Sequence, residues 1–273
     1  ILGERAAFSD DLRQSFIDTG TIHIVALSGY NVTIVAEWFM KLFAFLPKNF
    51  GFGAGIFSIF LFILMTGGSS TAIRAGIMAS LALVARATGR DYDALRALLL
   101  AGTAMVLFNP FVLVYDGSFE VSVMGTVAVI FFAPRMEKHF SWVTKSFGLR
   151  DVVSVTTAAY IFVFPFILYK MGNFSLVALL ANVLVLPAVP ATMAAGFITG
   201  FLGMLWYTLA VPFGFISYLL LHYELGVINL LAGFSFASFI IPYFPLTLTI
   251  AIYACFVYFL FGGNIKNFFT ERN

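Results

Sequence analysis

The chain has 273 residues, of which 61% are hydrophobic and only 10% are charged. A soluble domain averages about 25% charged residues with fewer than half of its residues apolar, so this composition excludes a water-soluble globular fold. A hydrocarbon core about 30 Å thick requires about 20 apolar residues per helix, and the length therefore allows roughly seven to nine membrane segments. Because backbone groups in lipid must be hydrogen-bonded within the protein, the predicted fold is an all-α, polytopic integral membrane helical bundle.

Charged and metal-binding residues are few. The net charge is +2 and no run of basic residues occurs, so composition alone predicts no nucleic-acid partner. The single Cys255 excludes a disulfide within the chain. None of His23, His139 and His222 has a second ligand at metal-binding spacing, and we predict neither a metal site nor a cofactor. His222 and Glu224, in the tripeptide HYE, are interpreted as an anchor at the membrane interface.

The start of the chain is more polar than the remainder. Charged and apolar residues alternate at helical spacing over 4–18, which predicts an amphipathic helix at the membrane surface within a leading segment 1–21. The first residue is Ile1 and the stretch after it lacks the order of a signal peptide, so we expect a piece of a longer polypeptide. The membrane domain is predicted over 22–265, and a polar tail over 266–273.

Apolar runs give the membrane segments of the first half. They cover 22–45, 52–65, 71–87, 95–108 and about 117–133. The connecting stretches 86–96 and 134–151 carry three and four basic residues respectively, and the positive-inside rule places both on the cytoplasmic side. An even number of apolar runs lies between these stretches. An even number of crossings returns the chain to the same side of the membrane, which agrees with a cytoplasmic position for both.

Prolines interrupt the second half. The segments 152–169, 174–190, 191–209, 211–233 and 238–262 are nearly uncharged, and prolines occur at positions 165, 187, 190, 212, 242 and 245. Proline inside an apolar segment kinks or breaks a helix, and such breaks persist where protein or water covers the freed backbone groups. We therefore predict that some of these helices are broken or re-entrant, with Asn182, Pro187 and Pro190 as the candidate hinge.

Polar residues recur in the first apolar segment. At helical spacing His23, Asn31, Glu37 and Lys41 fall on one side of that segment. A polar stripe should face the bundle interior or a wet path, because charges that face lipid are unfavourable by a few kcal/mol each. The alternative is a Glu37–Lys41 ion pair near the interface, with Asn31 bonded to a neighbouring helix. Ser28, in the same segment, is a further candidate pore-lining residue.

The stretch TGGSSTAIR places glycines and hydroxyls before a helix that carries an arginine in its first turns. Backbone N–H groups and the guanidinium of Arg74 could converge there on an anion, with Thr66, Gly67, Gly68 and Ser69 around it. No lysine follows the glycines, which excludes a nucleotide-binding P-loop. The alternative is structural: the glycines make the turn, a serine caps the helix, and the arginine pairs with a buried acid.

Two acids begin a later apolar segment. Asp116 and Glu120 stand four residues apart, hence on one helical face, and they are the predicted partners of Arg74. Paired carboxylates also serve acid–base catalysis, but catalysis requires a placed nucleophile or metal and none is evident nearby. We therefore predict structural pairing and no enzymatic activity.

Several segments resemble, in order and spacing, the competence domain of the ComEC/Rec2 family of DNA-uptake channel proteins. The resemblance runs from Leu2 to about Pro190, and the matching segments are LGERAAFSDDLRQSF, TGTIHIVALSGYNV, LMTGGSSTAIRAGIMA, GRDYDALRALLLA, DGSFEVSVMG and FSLVALLANVLVLPAVP. Longer members add a soluble oligonucleotide-binding-type domain and a metallo-β-lactamase-like nuclease domain. Neither is found in this sequence, and no nuclease activity is assigned to it.

The resemblance implies a channel domain that passes single-stranded DNA across the cytoplasmic membrane of a bacterium during natural transformation. In this interpretation Arg74 and the TGGSS turn touch phosphates transiently, while His23, Asn31 and the facing acids line a wet path. The sequence has no ATP-binding motif, so directed transport needs a cytoplasmic motor or a protein that traps the incoming strand. The resemblance implies a helicase-like motor inside the cell and a DNA receptor outside as partners.

Two other functions are compatible with the same residues. A secondary transporter for a small anionic solute would use Arg74 and broken helices, but it predicts two related halves and no internal repeat is evident. An intramembrane enzyme acting on lipid or peptide would need a convergent nucleophile and base or a metal, and the scattered histidines and acids argue against one.

Overall fold

The structure, a computed structural model, describes residues 9–25, 32, 38, 48–144 and 148–270, with only the backbone described at 25, 48–50 and 261–270. Its helices are α1 (Asp10–Asp18), α2 (Ile22–Val25), α3 (Lys48–Met65), α4 (Ser70–Ala87), α5 (Ala94–Phe108), α6 (Val112–Tyr115), α7 (Gly117–Phe131), α8 (Ala133–His139), α9 (Leu149–Met171), α10 (Ala178–Val185), α11 (Val189–Leu205), α12 (Tyr207–Ala232) and α13 (Leu246–Thr270). Two short strands, β1 (Asn173–Ser175) and β2 (Ser238–Ile240), pair antiparallel. The predicted all-α class is confirmed.

The number of membrane spans differs from the sequence prediction. Within the described ranges, three helices are long and apolar enough to cross a membrane: α4, α9 and α12. Two bent pairs, α7 with α8 at 50° and α10 with α11 at 46°, raise the number to five if each pair is one span. The predicted count of seven to nine is not confirmed, whereas broken helices are present. Some apolar helices are shorter than a membrane span: α5 has 15 residues and ends where Asn109 precedes Pro110.

The amphipathic helix predicted near the start is present as α1. Ser9 caps it by accepting a hydrogen bond from the Leu12 amide, and two aspartates lie in the first turn, where carboxylates oppose the positive end of the helix dipole. Its buried residue Phe16 packs against Val185 and Ile228. The predicted division into a leading segment, a membrane domain and a tail stays a prediction, although α13 continues to Thr270, beyond the predicted start of the tail.

Hydrogen bonds and an ion pair fix the relative directions of α4, α7 and α9. The N-terminal ends of α4 and α7 meet, because Ser70 donates a hydrogen bond to the carboxylate of Asp116. α9 runs the opposite way, with Lys170 in its last turn 3.1 Å from the carboxylate of Glu120 in the first turn of α7. The loops after α4 and after α8 therefore lie together at the opposite end of these helices. This agrees with the prediction that both basic stretches lie on the same side of the membrane.

Arginines in the second basic stretch bind backbone oxygens. Arg150 donates to the carbonyl oxygens of Ser141 and Val143, at 2.5 Å and 2.7 Å from its Nη2 atom. Arg135 donates to the carbonyl oxygens of Phe131 and Leu260, at 2.5 Å and 3.3 Å. These guanidinium groups close the loop and tie α8 to α13.

The small sheet corrects two predicted segment boundaries. The apolar segments predicted over 174–190 and 238–262 begin with the strands β1 and β2 rather than with helices. The helices α10 and α13 therefore start later than predicted. Asn173 pairs with Ile240 and Ser175 with Ser238. The hydroxyl of Tyr160 donates to the Ser175 carbonyl oxygen at 2.5 Å, which joins the sheet to α9.

The six prolines have different effects. Pro165 and Pro212 lie inside α9 and α12, which continue through them, so no break occurs at these positions. Pro187 lies between α10 and α11, where the helix axis bends by 46°, and Pro190 is the second residue of α11. Pro242 and Pro245 lie in the non-helical segment before α13. A proline removes one donor from a helix, and packing against neighbouring helices can tolerate this loss.

Candidate functional site

The turn before α4 has the structural roles that sequence alone left open. Gly67 and Gly68 adopt φ angles of +71° and +63°, a left-handed conformation that glycine adopts without strain. Ser69 caps α4 by accepting a hydrogen bond from the amide of the third helical residue at 3.4 Å. The hydroxyl of Thr66 donates to a carbonyl oxygen of α3 at 2.9 Å. The turn-and-cap interpretation is confirmed, and contact between these groups and an anion stays a prediction.

Asp116 joins the first turns of two helices. One carboxylate oxygen accepts the hydroxyl proton of Ser70. The other accepts the amides of Ser118 and Phe119 at 2.9 Å and 3.1 Å, which makes Asp116 the N-cap of α7. This carboxylate therefore holds the beginnings of α4 and α7 together.

Arg74 lies one turn further along α4 and is only 5% exposed. Its Nε atom donates to the hydroxyl of Ser122 on α7 at 2.9 Å, and its Nη1 atom lies 3.1 Å from the sulfur of Met78. In the described part of the chain, no carboxylate oxygen lies within 4.0 Å of the guanidinium. Buried charges are normally paired, because burial without a counter-ion is unfavourable by several kcal/mol. Within the described ranges, the hydrogen-bond partners of this guanidinium are therefore neutral.

The predicted pairing of Arg74 with the two acids is wrong. Asp116 binds Ser70 and the amides that begin α7. Glu120 pairs with Lys170, whose Nζ atom lies 3.1 Å from one carboxylate oxygen and 3.4 Å from the other. The same ammonium lies 5.7 Å from the ring centre of Phe166. Each of the two acids thus has a partner that lies nearer to it than Arg74 does.

Sequence reasoning missed the serine that binds Arg74. Ser118, Ser122 and Thr126 recur every four residues and so share one face of α7. The hydroxyl of Thr126 donates to the Ser122 carbonyl oxygen at 2.9 Å. This regular spacing of hydroxyls in an apolar helix is the sequence signal that would have identified Ser122.

Tyr92, in the loop after α4, is a second residue that the sequence interpretation did not select. Burial raises the pKa of its hydroxyl, and the positive charge of Arg74 opposes that rise. The negative charge of Asp93 adds to the rise in this pKa. The side chains of Arg74 and Tyr92 are therefore close enough to interact electrostatically.

Most of the predicted polar stripe in the first segment lies outside the described residues. This applies to Asn31, Glu37 and Lys41, and also to the further candidate Ser28. His23 is described: its side chain is exposed and its Nδ1 atom lies 3.1 Å from the Gly20 carbonyl oxygen. Its role as a pore-lining residue stays a prediction.

A family model described as Competence protein matches residues 1–264. The chain belongs to this family. A relative from Bacillus subtilis (strain 168), ComE operon protein 3, is 24% identical over 215 residues, which cover 78% of this chain and 26% of the relative. The chain thus spans about a quarter of the length of that protein. No solved structure is significantly similar to this chain.

Membership of the Competence protein family confirms the resemblance stated from the sequence. The broken helix α10–α11 falls within the region that the family model covers. Asn182 is buried in α10, with its amide nitrogen 2.8 Å from the Ala178 carbonyl oxygen and no hydrogen-bond partner among the described residues for its side-chain oxygen. Pro187 and Pro190 lie at the bend. The break is present as predicted, and its motion as a hinge stays a prediction.

Proposed function

We propose that this chain forms the path by which single-stranded DNA crosses the cytoplasmic membrane of a bacterium, with Arg74 as a transient contact for its phosphates. Family membership supports the DNA-handling role. The observation that carries the assignment to Arg74 is the burial of its guanidinium between neutral partners, Ser122 and Met78.

A phosphate suits this position chemically. Arginine binds phosphate through several parallel N–H donors, and a charge-assisted bond is roughly twice as strong as a neutral one. Ser122 occupies the Nε donor of Arg74, and the sulfur of Met78 is only a weak acceptor for Nη1. A phosphate oxygen can therefore replace the sulfur. One such contact binds each phosphate only briefly, which a strand in transit requires.

The proposed direction of travel follows from the basic loops. If the loops after α4 and α8 face the cytoplasm, the end with Ser70 and Asp116 faces outward. A strand entering from outside meets this end first, then Arg74, and Tyr92 near the inner loop last. The hydroxyl face of α7 lies along the same route.

The chain is proposed to conduct DNA rather than to modify it. Its sequence has no nucleotide-binding P-loop, so directed movement requires a motor or a DNA-binding trap inside the cell. A cytoplasmic helicase-like motor, an external DNA receptor and soluble domains of the full-length protein are the partners proposed from the family. The lipid bilayer is the surrounding partner.

A path wide enough for a strand must close when no DNA is present. The bend between α10 and α11 is the proposed gate, with Asn182, Pro187 and Pro190 as its hinge. A cross-link across the bend should block uptake without unfolding the protein. Normal uptake through a cross-linked bend would exclude the gate while leaving the path itself intact.

The experiment is uptake of labelled single-stranded DNA into proteoliposomes that hold the longest natural form of this protein, with a DNA-binding trap inside. We expect Arg74→Ala to reduce the uptake rate by about tenfold or more, equivalent to about 1.4 kcal/mol. Arg96→Ala is the matched control, since Arg96 is an exposed arginine on the neighbouring helix and its side chain is 83% accessible.

Each outcome decides a different part of the proposal. Unchanged uptake by correctly folded Arg74→Ala would remove the phosphate role from Arg74. An equal loss in Arg96→Ala would indicate a general effect of charge. A wild-type protein that transports small anions but no DNA would be a secondary transporter instead.

A further inference from the structure

Two consecutive residues of α12 bind the two halves of the bent helix, one on each side of its break. The hydroxyl of Tyr223 donates to the Leu184 carbonyl oxygen in α10 at 3.1 Å. The Glu224 carboxyl lies 2.6 Å from the Thr192 hydroxyl in α11. The tripeptide HYE, which the sequence interpretation placed at the membrane interface as an anchor, therefore faces the break, and Glu224 is only 9% exposed.

The break explains why Tyr223 has an acceptor there. The Ala188 amide bonds to the Val185 carbonyl oxygen, three residues back, instead of to Leu184. Leu184 thus loses the donor that a regular helix would supply, and Tyr223 replaces it. Pro187 contributes to this geometry because it has no N–H to continue the helix.

The Thr192 hydroxyl has one proton but two nearby acceptors. Its oxygen lies 3.1 Å from the Ala188 carbonyl oxygen and 2.6 Å from Oε1 of Glu224, and Thr192 is 1% exposed. A carboxylate would compete with the carbonyl for that proton. A protonated carboxyl would donate its own hydrogen to Thr192 and leave the hydroxyl to Ala188, so that both short contacts become good hydrogen bonds.

The surroundings of Glu224 offer no cation within the described part of the chain. Neither α10 nor α11, which pack against α12, contains an ionisable side chain. α1 also packs there and carries Asp10, Asp11, Arg13 and Asp18, and across the described residues none of these forms an ion pair with Glu224. On α12 itself the ionisable neighbours are Tyr218, His222 and Tyr223, and His222 stacks on Tyr218.

We propose that the Glu224 carboxyl is a proton-binding site that holds α11 against α12 when protonated and releases it when ionised. Ionisation would create a charge whose partner among the described residues is one hydroxyl, which is unfavourable without water. The charge can gain water if α11 moves away at the break, while Tyr223 keeps its separate hydrogen bond to α10. Proton binding is thereby linked to the angle between α10 and α11, and this link does not depend on the proposed DNA path.

The first test measures the proton directly. Infrared difference spectra of the full chain in lipid nanodiscs, recorded from mildly acidic to alkaline pH, should show a protonated-carboxyl band that disappears as pH rises. Glu224→Gln should lack this band, and Glu120→Gln should retain it, because Glu120 already has Lys170 as its ion partner. A band that persists unchanged in Glu224→Gln, or no band at any pH, would overturn the proposal.

The second test measures the bend. Spin labels at Leu180→Cys in α10 and Phe201→Cys in α11, both exposed positions, report the distance across the break. The background is Cys255→Ser, which removes the chain's one native cysteine. We expect the wild-type distance distribution to shift as pH rises, and Glu224→Gln to hold the low-pH distribution throughout, since a glutamine amide donates to Thr192 as the protonated acid does.

Further variants separate proton binding from simple loss of structure. Thr192→Ser retains the hydroxyl and should behave as wild type, whereas Thr192→Val removes it and should move the pH of the transition. A spin-label distance that does not change with pH in the wild type would contradict the link between proton binding and the bend. A distance that changes equally in Glu224→Gln would contradict it as well.

Discussion

Arg74 and Ser122 lie 48 positions apart in sequence, yet Nε of the arginine lies 2.9 Å from the serine hydroxyl. This bond orients a buried guanidinium between α4 and α7 without neutralising its charge. A carboxylate partner would hold the arginine more strongly but would also compete with any incoming anion. In the proposed role, a neutral partner positions the charge while leaving it available for a phosphate.

In the Ser122→Ala variant, the guanidinium of Arg74 should no longer be held in this orientation. We expect this substitution to destabilise the protein by about 1 kcal/mol, within the range measured for hydrogen bonds between membrane helices. Unfolding in mixed micelles of increasing denaturing detergent provides the measurement. Thr126→Ala is the control, because the Thr126 hydroxyl donates to a carbonyl oxygen of its own helix.

A double-mutant cycle identifies the cause. If the bond to Arg74 carries the effect, Ser122→Ala should have little effect in a background that already contains Arg74→Met. An equal effect in both backgrounds would show that Ser122 stabilises α7 in some other way.

A second prediction concerns the carboxylate that joins two helices. Asp116→Ala should destabilise the protein by about 2 kcal/mol, because it removes a helix cap, typically about 1 kcal/mol, and leaves the hydroxyl of Ser70 without its acceptor. Asp116→Asn should lose much less, since asparagine is an equally good cap through its oxygen and its amide nitrogen can donate to the hydroxyl of Ser70. Detergent-induced unfolding measures the difference.

Asp93 provides a matched control for that substitution. It caps α5 by accepting two helix amides at 2.9 Å and 3.1 Å, and its carboxylate also pairs with Arg96 in the first turn of the same helix. Asp93→Ala should therefore show the cap effect without a contact between helices. Equal losses in Asp93→Ala and Asp116→Ala would mean that the contact between α4 and α7 contributes nothing.

The helical class and most helix boundaries could be predicted because apolar composition and local caps determine them. The segment predicted over 71–87 corresponds to Ser70–Ala87, and the one over 95–108 corresponds to Ala94–Phe108. The strands near Asn173 and Ser238 could not be predicted in this way, because they pair with each other across more than sixty residues. Hydropathy also treats Pro165 and Pro187 alike, although only the latter falls at a bend.

The candidate site is predictable by residue type but not by pairing. Arg74, Asp116 and Glu120 stand out as charges in apolar surroundings, and all three lie near one end of α4 and α7. Their partners depend on helix directions and rotations that one sequence does not fix, so Lys170 could not be identified as the partner of Glu120. The polar tripeptide around Glu224 favours a position at the membrane interface. Its burial depends instead on how α11 packs on α12, which the sequence does not reveal.

A third prediction concerns the ion pair of Lys170 and Glu120. Their side chains are 38% and 17% accessible, so the pair should contribute only about 0.3–1 kcal/mol, and less at high salt. Glu120→Gln tests it best, because this change keeps the contact of Lys170 with Phe166. Unfolding at low and high ionic strength should show a difference from wild type that shrinks with salt. A salt-independent loss would indicate packing rather than charge.

A fourth prediction concerns the close approach of α3 and α4 at Gly76. A Cβ atom at this position would lie less than 3.0 Å from Cδ1 of Ile63, so in Gly76→Ala either the Ile63 side chain leaves its rotamer or the two helices move apart. Overpacking of this kind is unfavourable by about 1–3 kcal/mol, and detergent unfolding should show a loss of that size. Gly102→Ala in α5 is the matched control, since a Cβ there meets nothing within 4 Å.

Removal of the clashing atom should rescue the Gly76→Ala variant. Ile63→Val deletes Cδ1, so the double variant should be more stable than Gly76→Ala alone, although Cγ2 of Ile59 and Cγ1 at position 63 would remain at 3.1 Å and 3.2 Å from the new Cβ. In the wild-type background the same Ile63→Val change should only destabilise, because it removes a methyl group that packs between the helices. The substitution thus has opposite signs in the two backgrounds if α3 and α4 touch at this point. Losses that simply add would place the contact elsewhere on these helices.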